Sequence, residues 1–177
     1  MPSPGSTIEA IDLRPGIARQ TTAGGVTIIP RRADFARDDL GLTNLDGILM
    51  ANSLHYVRDK PALLQKLRAY YRGGAPASGG PGLAATASNV STAVGGALLL
   101  VEYDTDRPTP HWVPYPLSFA SAAKLLPAAG WSHIQKLGSR PSQYFVGAAS
   151  PRSSSSVPFA SLGNSRSELY AVLALPN

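Results

Sequence analysis

Short apolar runs alternate along the chain with stretches in which apolar residues recur at helical spacing. An apolar run of about four to eight residues, bounded by turn-forming residues, is typical of a strand. On this criterion the sequence predicts six strands. They lie at Thr7–Asp12 and Val26–Ile29 and within the segments LDGILMANS, GALLLVEYD, SHIQKLG and ELYAVLAL.

The helical stretches lie between these strands. KPALLQKLRAYYR is preceded by Asp59, a suitable N-cap, and carries Pro61 in its first turn. Its apolar face consists of Leu63, Leu64, Leu67 and Tyr71. SFASAAKLLPAAGW is predicted to be helical as far as Pro127, and RPGIARQTT is predicted to form a short, poorly formed helix.

The order of these elements predicts an α/β fold. Strands that alternate with helices favour a parallel sheet, whereas the last two strands have no helix between them and suggest an antiparallel hairpin. A length of 177 residues suits a single domain, which we predict to span 1–177. The stretches at about 73–96 and 147–167 are rich in Gly, Ser, Ala and Pro, so we predict two flexible insertions there.

Composition excludes several classes of site. The chain has no cysteine, so it has no disulfide, thiolate metal site or cysteine nucleophile, and its three histidines are too scattered to suggest a metal site. We find neither a signal peptide nor an apolar run long enough to span a bilayer, so we expect a soluble, cytoplasmic protein. The net charge of +5 comes mostly from scattered arginines, which disfavours nucleic acid as a partner.

The segment GILMANSLHYVRD changes abruptly from apolar to polar at Asn52. In α/β proteins, ligands bind at the carboxyl ends of the strands, where the loops diverge. The polar residues after this strand are therefore candidates for a binding site.

Several segments, taken in chain order, resemble the class I S-adenosylmethionine-dependent methyltransferases. They are IEAIDLRPG, RRADFAR, LDGILMANSLHYVRD, LLQKLRAYYRGG with the later GGALLLVEYD, and WVPYPLSFASAAKLLPAAGW. The resemblance implies a Rossmann-like, mostly parallel sheet with an antiparallel C-terminal hairpin. It also implies S-adenosylmethionine as the cofactor and methyl transfer to a small-molecule acceptor.

The resemblance implies a set of cofactor-binding residues, namely Asp12, Leu13, Asp34, Phe35, Asn52 and Ser53. Asp12 would accept hydrogen bonds from both ribose hydroxyls, and Asp34 would meet the adenine amino group while Phe35 lies against the base. Side-chain chemistry agrees, because a carboxylate can bind a diol through two charge-assisted bonds of roughly 1.5–3 kcal/mol each. An aspartate after a strand is also a common turn former, and this alternative stays open for Asp12.

Four further residues are predicted to bind the methyl acceptor: His55, Glu102, Trp112 and Tyr115. Trp112 lies in a proline-rich loop that either covers the acceptor pocket or is a plain surface loop. The histidine side chain is a common general base, but a histidine at this place more often packs in the turn or orders the loop. Methyl transfer from a sulfonium depends on proximity and alignment more than on proton abstraction, so we assign no catalytic residue.

The chain departs from the family at its start. In the family, a first strand and a glycine-rich turn precede the strand that ends on the ribose-binding acid, whereas here Thr7 lies a few residues after Met1. We therefore expect an N-terminally truncated fold that lacks the turn holding the methionine portion of the cofactor, and a chain that could be inactive by itself. Unpaired inner sheet edges could then form a homo-oligomer. The alternative function is a non-catalytic interaction module that retains the methyltransferase fold.

Overall fold

The computed structural model describes residues 2–71, 96–142 and 168–176. The chain divides into two compact units, Met1–Leu42 and Thr43–Asn177. Apart from Gly96, the two predicted flexible insertions lie outside the described residues. The single domain spanning 1–177 stays a prediction.

The first unit contains a three-stranded sheet in the order β1-β3-β2. Its strands are β1 (Thr7–Asp12), β2 (Gln20–Thr21) and β3 (Thr27–Arg32). β1 and β3 are parallel, from the pair Thr7 and Thr27 to the pair Asp12 and Arg32, and β2 is antiparallel to β3. The observed β1 has the bounds that the sequence predicts, whereas β3 runs three residues further than the predicted Val26–Ile29.

The prediction of a helix in RPGIARQTT is wrong. Within this segment the structure has bends, irregular backbone and the short strand β2 instead. The physical reason is local: Pro15 and Gly16 both disfavour a helix interior, and Ile17 is exposed, so no apolar face exists to stabilise one.

The second unit contains a four-stranded sheet in the order β4-β5-β7-β6. Its strands are β4 (Gly47–Ala51), β5 (Ala97–Tyr103), β6 (Trp131–Pro141) and β7 (Glu168–Pro176). β4 is parallel to β5, and β7 is antiparallel to both β5 and β6. The predicted α/β class and the antiparallel pairing of the last two strands are therefore confirmed.

In the described part of the second unit, two α-helices accompany this sheet, α1 (Lys60–Ala69) and α2 (Phe119–Ala128), and a 3-10 turn covers Leu54–Tyr56. Helix α1 begins as predicted, because the carboxylate of Asp59 accepts a hydrogen bond from the amide of Ala62 at 3.1 Å. Helix α2 continues one residue past Pro127 and ends there. No helix within the described segments is long and apolar enough to cross a membrane.

The core of the second unit lies between the sheet and these helices. The largest fully buried side chains include Leu54, Leu64, Leu98, Leu100, Leu126, Trp131 and Tyr170. Trp131 links β6 to α1 through a hydrogen bond, because its indole Nε1 donates to the carbonyl of Leu64 at 3.3 Å. Its ring also packs edge-on against the ring of Tyr71.

Candidate functional site

The chain leaves β4 through a left-handed residue. Asn52 has φ +51°, a conformation that asparagine tolerates better than most residues, and its amide donates to the carbonyl of Val101 at 2.9 Å. Its side chain is exposed. Asn52 therefore lies at the carboxyl end of β4, where the sequence predicts it.

Glu102 joins that segment to the neighbouring strand. It lies near the end of β5 and is 0% exposed. Its Oε1 accepts hydrogen bonds from the amides of Ser53 at 3.0 Å and Leu54 at 2.7 Å, and its Oε2 lies 2.6 Å from Nδ1 of His55. A carboxylate accepts without donating, so it suits a place where three N–H groups converge, and these bonds offset the cost of burying it.

His55 is the second buried polar residue of this cluster, at 2% exposure. Its ring contacts those of Tyr56 and Tyr103, with ring centroids 4.3 and 5.7 Å away. The carbonyl of His55 also accepts from the amide of Tyr115 at 2.9 Å. The 3-10 turn is therefore bonded both to β5 and to the proline-rich loop.

That loop carries two exposed aromatic residues, Trp112 and Tyr115. The Trp112 amide donates to the carbonyl of Thr109 at 3.1 Å, which closes a tight turn. Tyr115 is held next to the 3-10 turn by its bond to His55. These two rings present apolar surface at the surface of the molecule, and their role in binding an acceptor stays a prediction.

Lys60 is a buried charged residue that the sequence does not single out. Its Nζ donates to the carbonyl of Val57 at 3.0 Å and lies 5.7 Å from the ring centroid of Tyr115. Burial lowers the pKa of the Lys60 ammonium, and the negative charge of Glu102 opposes this in part. A lysine before a proline at a helix start has the pattern of a surface residue, so sequence alone offers no signal for its burial.

In the first unit, Asp12 is the last residue of β1, and Asp34 comes two residues after the end of the parallel strand β3. The carbonyl of Asp12 accepts from the amide of Ala33 at 3.1 Å, so both aspartates belong to the same edge of the sheet. Asp12 is exposed, its Oδ1 accepts from the amide of Arg14 at 2.7 Å, and Leu13 beside it is also exposed. Asp12 thus forms a local turn, which is the alternative that its position leaves open.

Asp34 also bonds within its own turn. Its Oδ1 accepts from the amide of Ala36 at 2.9 Å, and its Oδ2 lies 3.7 Å from Nε of Arg37. Phe35 is half-buried next to it. The structure therefore groups Asp12, Leu13, Asp34 and Phe35 in the first unit, and Asn52, Ser53, His55, Glu102 and Tyr115 in the second. Their ligand contacts stay predictions.

Comparison with known proteins places the fold. No protein-family model matches the sequence, and no curated protein matches it. Among solved structures, the CurJ carbon methyltransferase is similar, with a TM-score of 0.52 and 16% identity over 99% of this chain and 50% of that chain. The N-terminal domain of EvdMO1, crystallised in the presence of SAH and D-fucose, has a TM-score of 0.46 and 16% identity over 85% of this chain and 55% of its own.

The whole EvdMO1 chain is similar at a TM-score of 0.44 and 18% identity, over 86% of this chain and 26% of its own. This chain thus spans between about a quarter and about half of the length of these neighbours. The likeness to CurJ shows a methyltransferase fold. At the level of the fold, it confirms the resemblance to methyltransferases that the sequence segments, taken in chain order, indicate.

Proposed function

We propose that this protein is an S-adenosylmethionine-dependent methyltransferase that acts on a small-molecule acceptor. The methyltransferase fold supports this, since the chain aligns along almost its whole length with a carbon methyltransferase. The observation that carries the proposal is the pair of aspartates at one sheet edge, joined through the bond from the amide of Ala33 to the carbonyl of Asp12. In this fold the carboxyl edge is where ligands bind.

The residues of that edge suit an adenosine. One oxygen of the Asp12 carboxylate accepts from the amide of Arg14, and a carboxylate has about four acceptor positions, so capacity for a ribose diol is left. Asp34 offers an acceptor for the adenine amino group, and half-buried Phe35 offers an aromatic surface for the ring. We also assign Asn52 and Ser53, which follow β4, to cofactor binding.

When bound, the cofactor supplies a methyl group already activated by a sulfonium. The protein then has to bind, align and shield the two reactants, which is work for positioned backbone and side chains rather than for a general base. The exposed rings of Trp112 and Tyr115 suit an acceptor with an apolar face.

Isothermal calorimetry with S-adenosylhomocysteine tests the proposal. We expect the wild-type chain to bind with a dissociation constant below about 1 mM, which corresponds to a binding free energy stronger than about −4 kcal/mol. Asp12→Asn keeps an oxygen for the Arg14 amide but loses the anionic acceptor, so we expect affinity to fall about tenfold.

Glu9→Gln is the matched control. It removes one negative charge from an exposed side chain of the same strand, β1. We expect its affinity for S-adenosylhomocysteine to equal that of the wild type. Absent wild-type binding would refute the cofactor assignment, and equal losses in the two variants would show that only net charge matters.

A further inference from the structure

We propose that Glu102 is a positioning residue, which holds the segment from Asn52 to His55 in the conformation that presents Asn52 and Ser53 to the cofactor. This inference rests on the proposed function. It gives Glu102 a role exerted through other residues, because its side chain is 0% exposed and both of its oxygens are engaged within the protein.

The start of the 3-10 turn needs an acceptor from elsewhere in the chain. Ser53 stands at the N-cap of this turn, yet its own side chain makes no capping hydrogen bond. Glu102 supplies the acceptor instead, from 49 residues away along the chain for Ser53 and 48 for Leu54. A carboxylate at the N-terminal amides of a turn also complements their partial positive charge.

The preceding residue adds to this need. Asn52 has φ +51°, a left-handed conformation that costs a non-glycine residue free energy relative to the ordinary regions. Such a conformation persists when neighbouring contacts determine it. Here those contacts are hydrogen bonds. The amide of Asn52 donates to the carbonyl of Val101, and the amides of Ser53 and Leu54, which follow it, donate to the carboxylate of Glu102.

Glu102 is itself held rigidly. It belongs to β5, which pairs with β4 on one side and with β7 on the other. The residue next to it, Tyr103, is buried and lies against the ring of His55. The third hydrogen bond joins Nδ1 of His55 to Oε2 of Glu102 at 2.6 Å and restricts rotation of the carboxylate. The conformation of the loop is therefore fixed by a residue of the sheet.

Loss of this anchor would leave buried N–H groups without their acceptor. The segment would then populate other conformations, and the apparent affinity for a ligand falls in proportion to the fraction of molecules that remain competent to bind. If about a tenth of the molecules keep the competent conformation, affinity falls about tenfold.

Three substitutions at one position separate geometry from charge. Glu102→Gln keeps the length of the side chain and an oxygen for the two amides, but removes the charge. Glu102→Asp keeps the charge but is one methylene too short to reach both the amides and His55 at once. Glu102→Ala removes all three bonds. We expect S-adenosylhomocysteine affinity within about threefold of wild type for the Gln variant and a loss of about tenfold or more for the Asp and Ala variants.

Asp104→Asn is the matched control for stability. Asp104 follows β5 and accepts from the amide of Phe119 at 2.8 Å and from Nζ of Lys136 at 3.4 Å, so it serves the start of α2 rather than the 3-10 turn. We expect this variant to lose some stability while its affinity for S-adenosylhomocysteine stays that of the wild type.

Hydrogen exchange by NMR supplies a readout that needs no ligand. The amides of Ser53 and Leu54 should be protected in the wild type and in Glu102→Gln, and should exchange faster in Glu102→Asp. If Glu102→Ala does not fold, the comparison of the Gln and Asp variants decides. Wild-type affinity in a folded Glu102→Asp chain overturns this inference alone. A wild-type chain that fails to bind S-adenosylhomocysteine overturns the proposed function and this inference together.

Discussion

Gly130 ends helix α2 in a conformation that other residues adopt only with strain. The C-cap residue Ala129 donates its amide to the carbonyl of Leu125 at 3.1 Å, and Gly130, the next residue, has φ +86° and donates to the carbonyl of Pro127 at 3.1 Å. A glycine in the left-handed region just after the C-cap is a common way to end a helix. Gly130→Ala should therefore destabilise the fold without touching any residue of the candidate site.

The magnitude follows from two contributions. The left-handed conformation costs an L-residue with a Cβ roughly 1–2 kcal/mol. The added Cβ would also overlap Nη1 of Arg68 and lie 3.2 Å from its Cζ, but a flexible side chain can move aside. We therefore expect a loss of about 1–2 kcal/mol in the free energy of unfolding, nearly all from the backbone. For a chain of this size each 1 kcal/mol lowers Tm by about 2–4 °C.

Urea unfolding at 25 °C, followed by far-UV circular dichroism and tryptophan fluorescence, measures this loss. Gly138→Ala is the control, because Gly138 lies in β6 without a positive φ and an added Cβ there meets no atom of the described residues within 4 Å. We expect its effect to stay within about 0.5 kcal/mol. The reasoning is refuted if Gly130→Ala is as stable as the wild type. It is also refuted if adding Arg68→Ala restores all of the lost stability, because the contact rather than the backbone would then be the cause.

Two further predictions concern the segment around the start of α2. Burial acts to raise the pKa of Asp106, but hydrogen bonds from the amide and hydroxyl of Ser118 and from the hydroxyl of Ser121 hold this pKa below its usual range. A lowered pKa gives stability that is present when the pH is above the unfolded-state pKa of about 4 and is lost as the pH falls below that value. Between pH 6 and pH 3, the urea midpoint of Asp106→Asn should therefore drop less than that of the wild type. An equal drop in the two proteins would contradict this. Tyr170→Phe removes the hydroxyl that donates to the carbonyl of Leu117 at 3.0 Å, and thermal melts should show a loss of about 1–2 kcal/mol, whereas an unchanged Tm would show that water replaces the bond.

Local patterns in the sequence were enough for several elements. The run Thr7–Asp12 is a strand with the predicted bounds, and α1 begins at Lys60, where Asp59 and Pro61 predict it. Its buried leucines are those with helical spacing. Caps and apolar periodicity act between residues a few positions apart, so a single sequence contains them completely. The same holds for Asn52 and Ser53, which lie after β4 because the apolar run stops there.

Contacts between distant segments needed the tertiary structure. The two-residue strand β2 exists only by pairing with β3, and its segment has no strand pattern of its own. The sequence also does not indicate that β7 lies between β5 and β6, since strand order depends on which edges pair over long separations.

The candidate site divides in the same way. Local sequence pattern is enough to place these polar residues at strand ends, because each lies next to an apolar run in the chain. The folded chain, by contrast, is needed to show that the Glu102 carboxylate accepts from amides 48 and 49 residues away, and that Lys60 is buried near it. Those contacts depend on the parallel pairing of β4 with β5, a long-range arrangement whose partners no local pattern specifies.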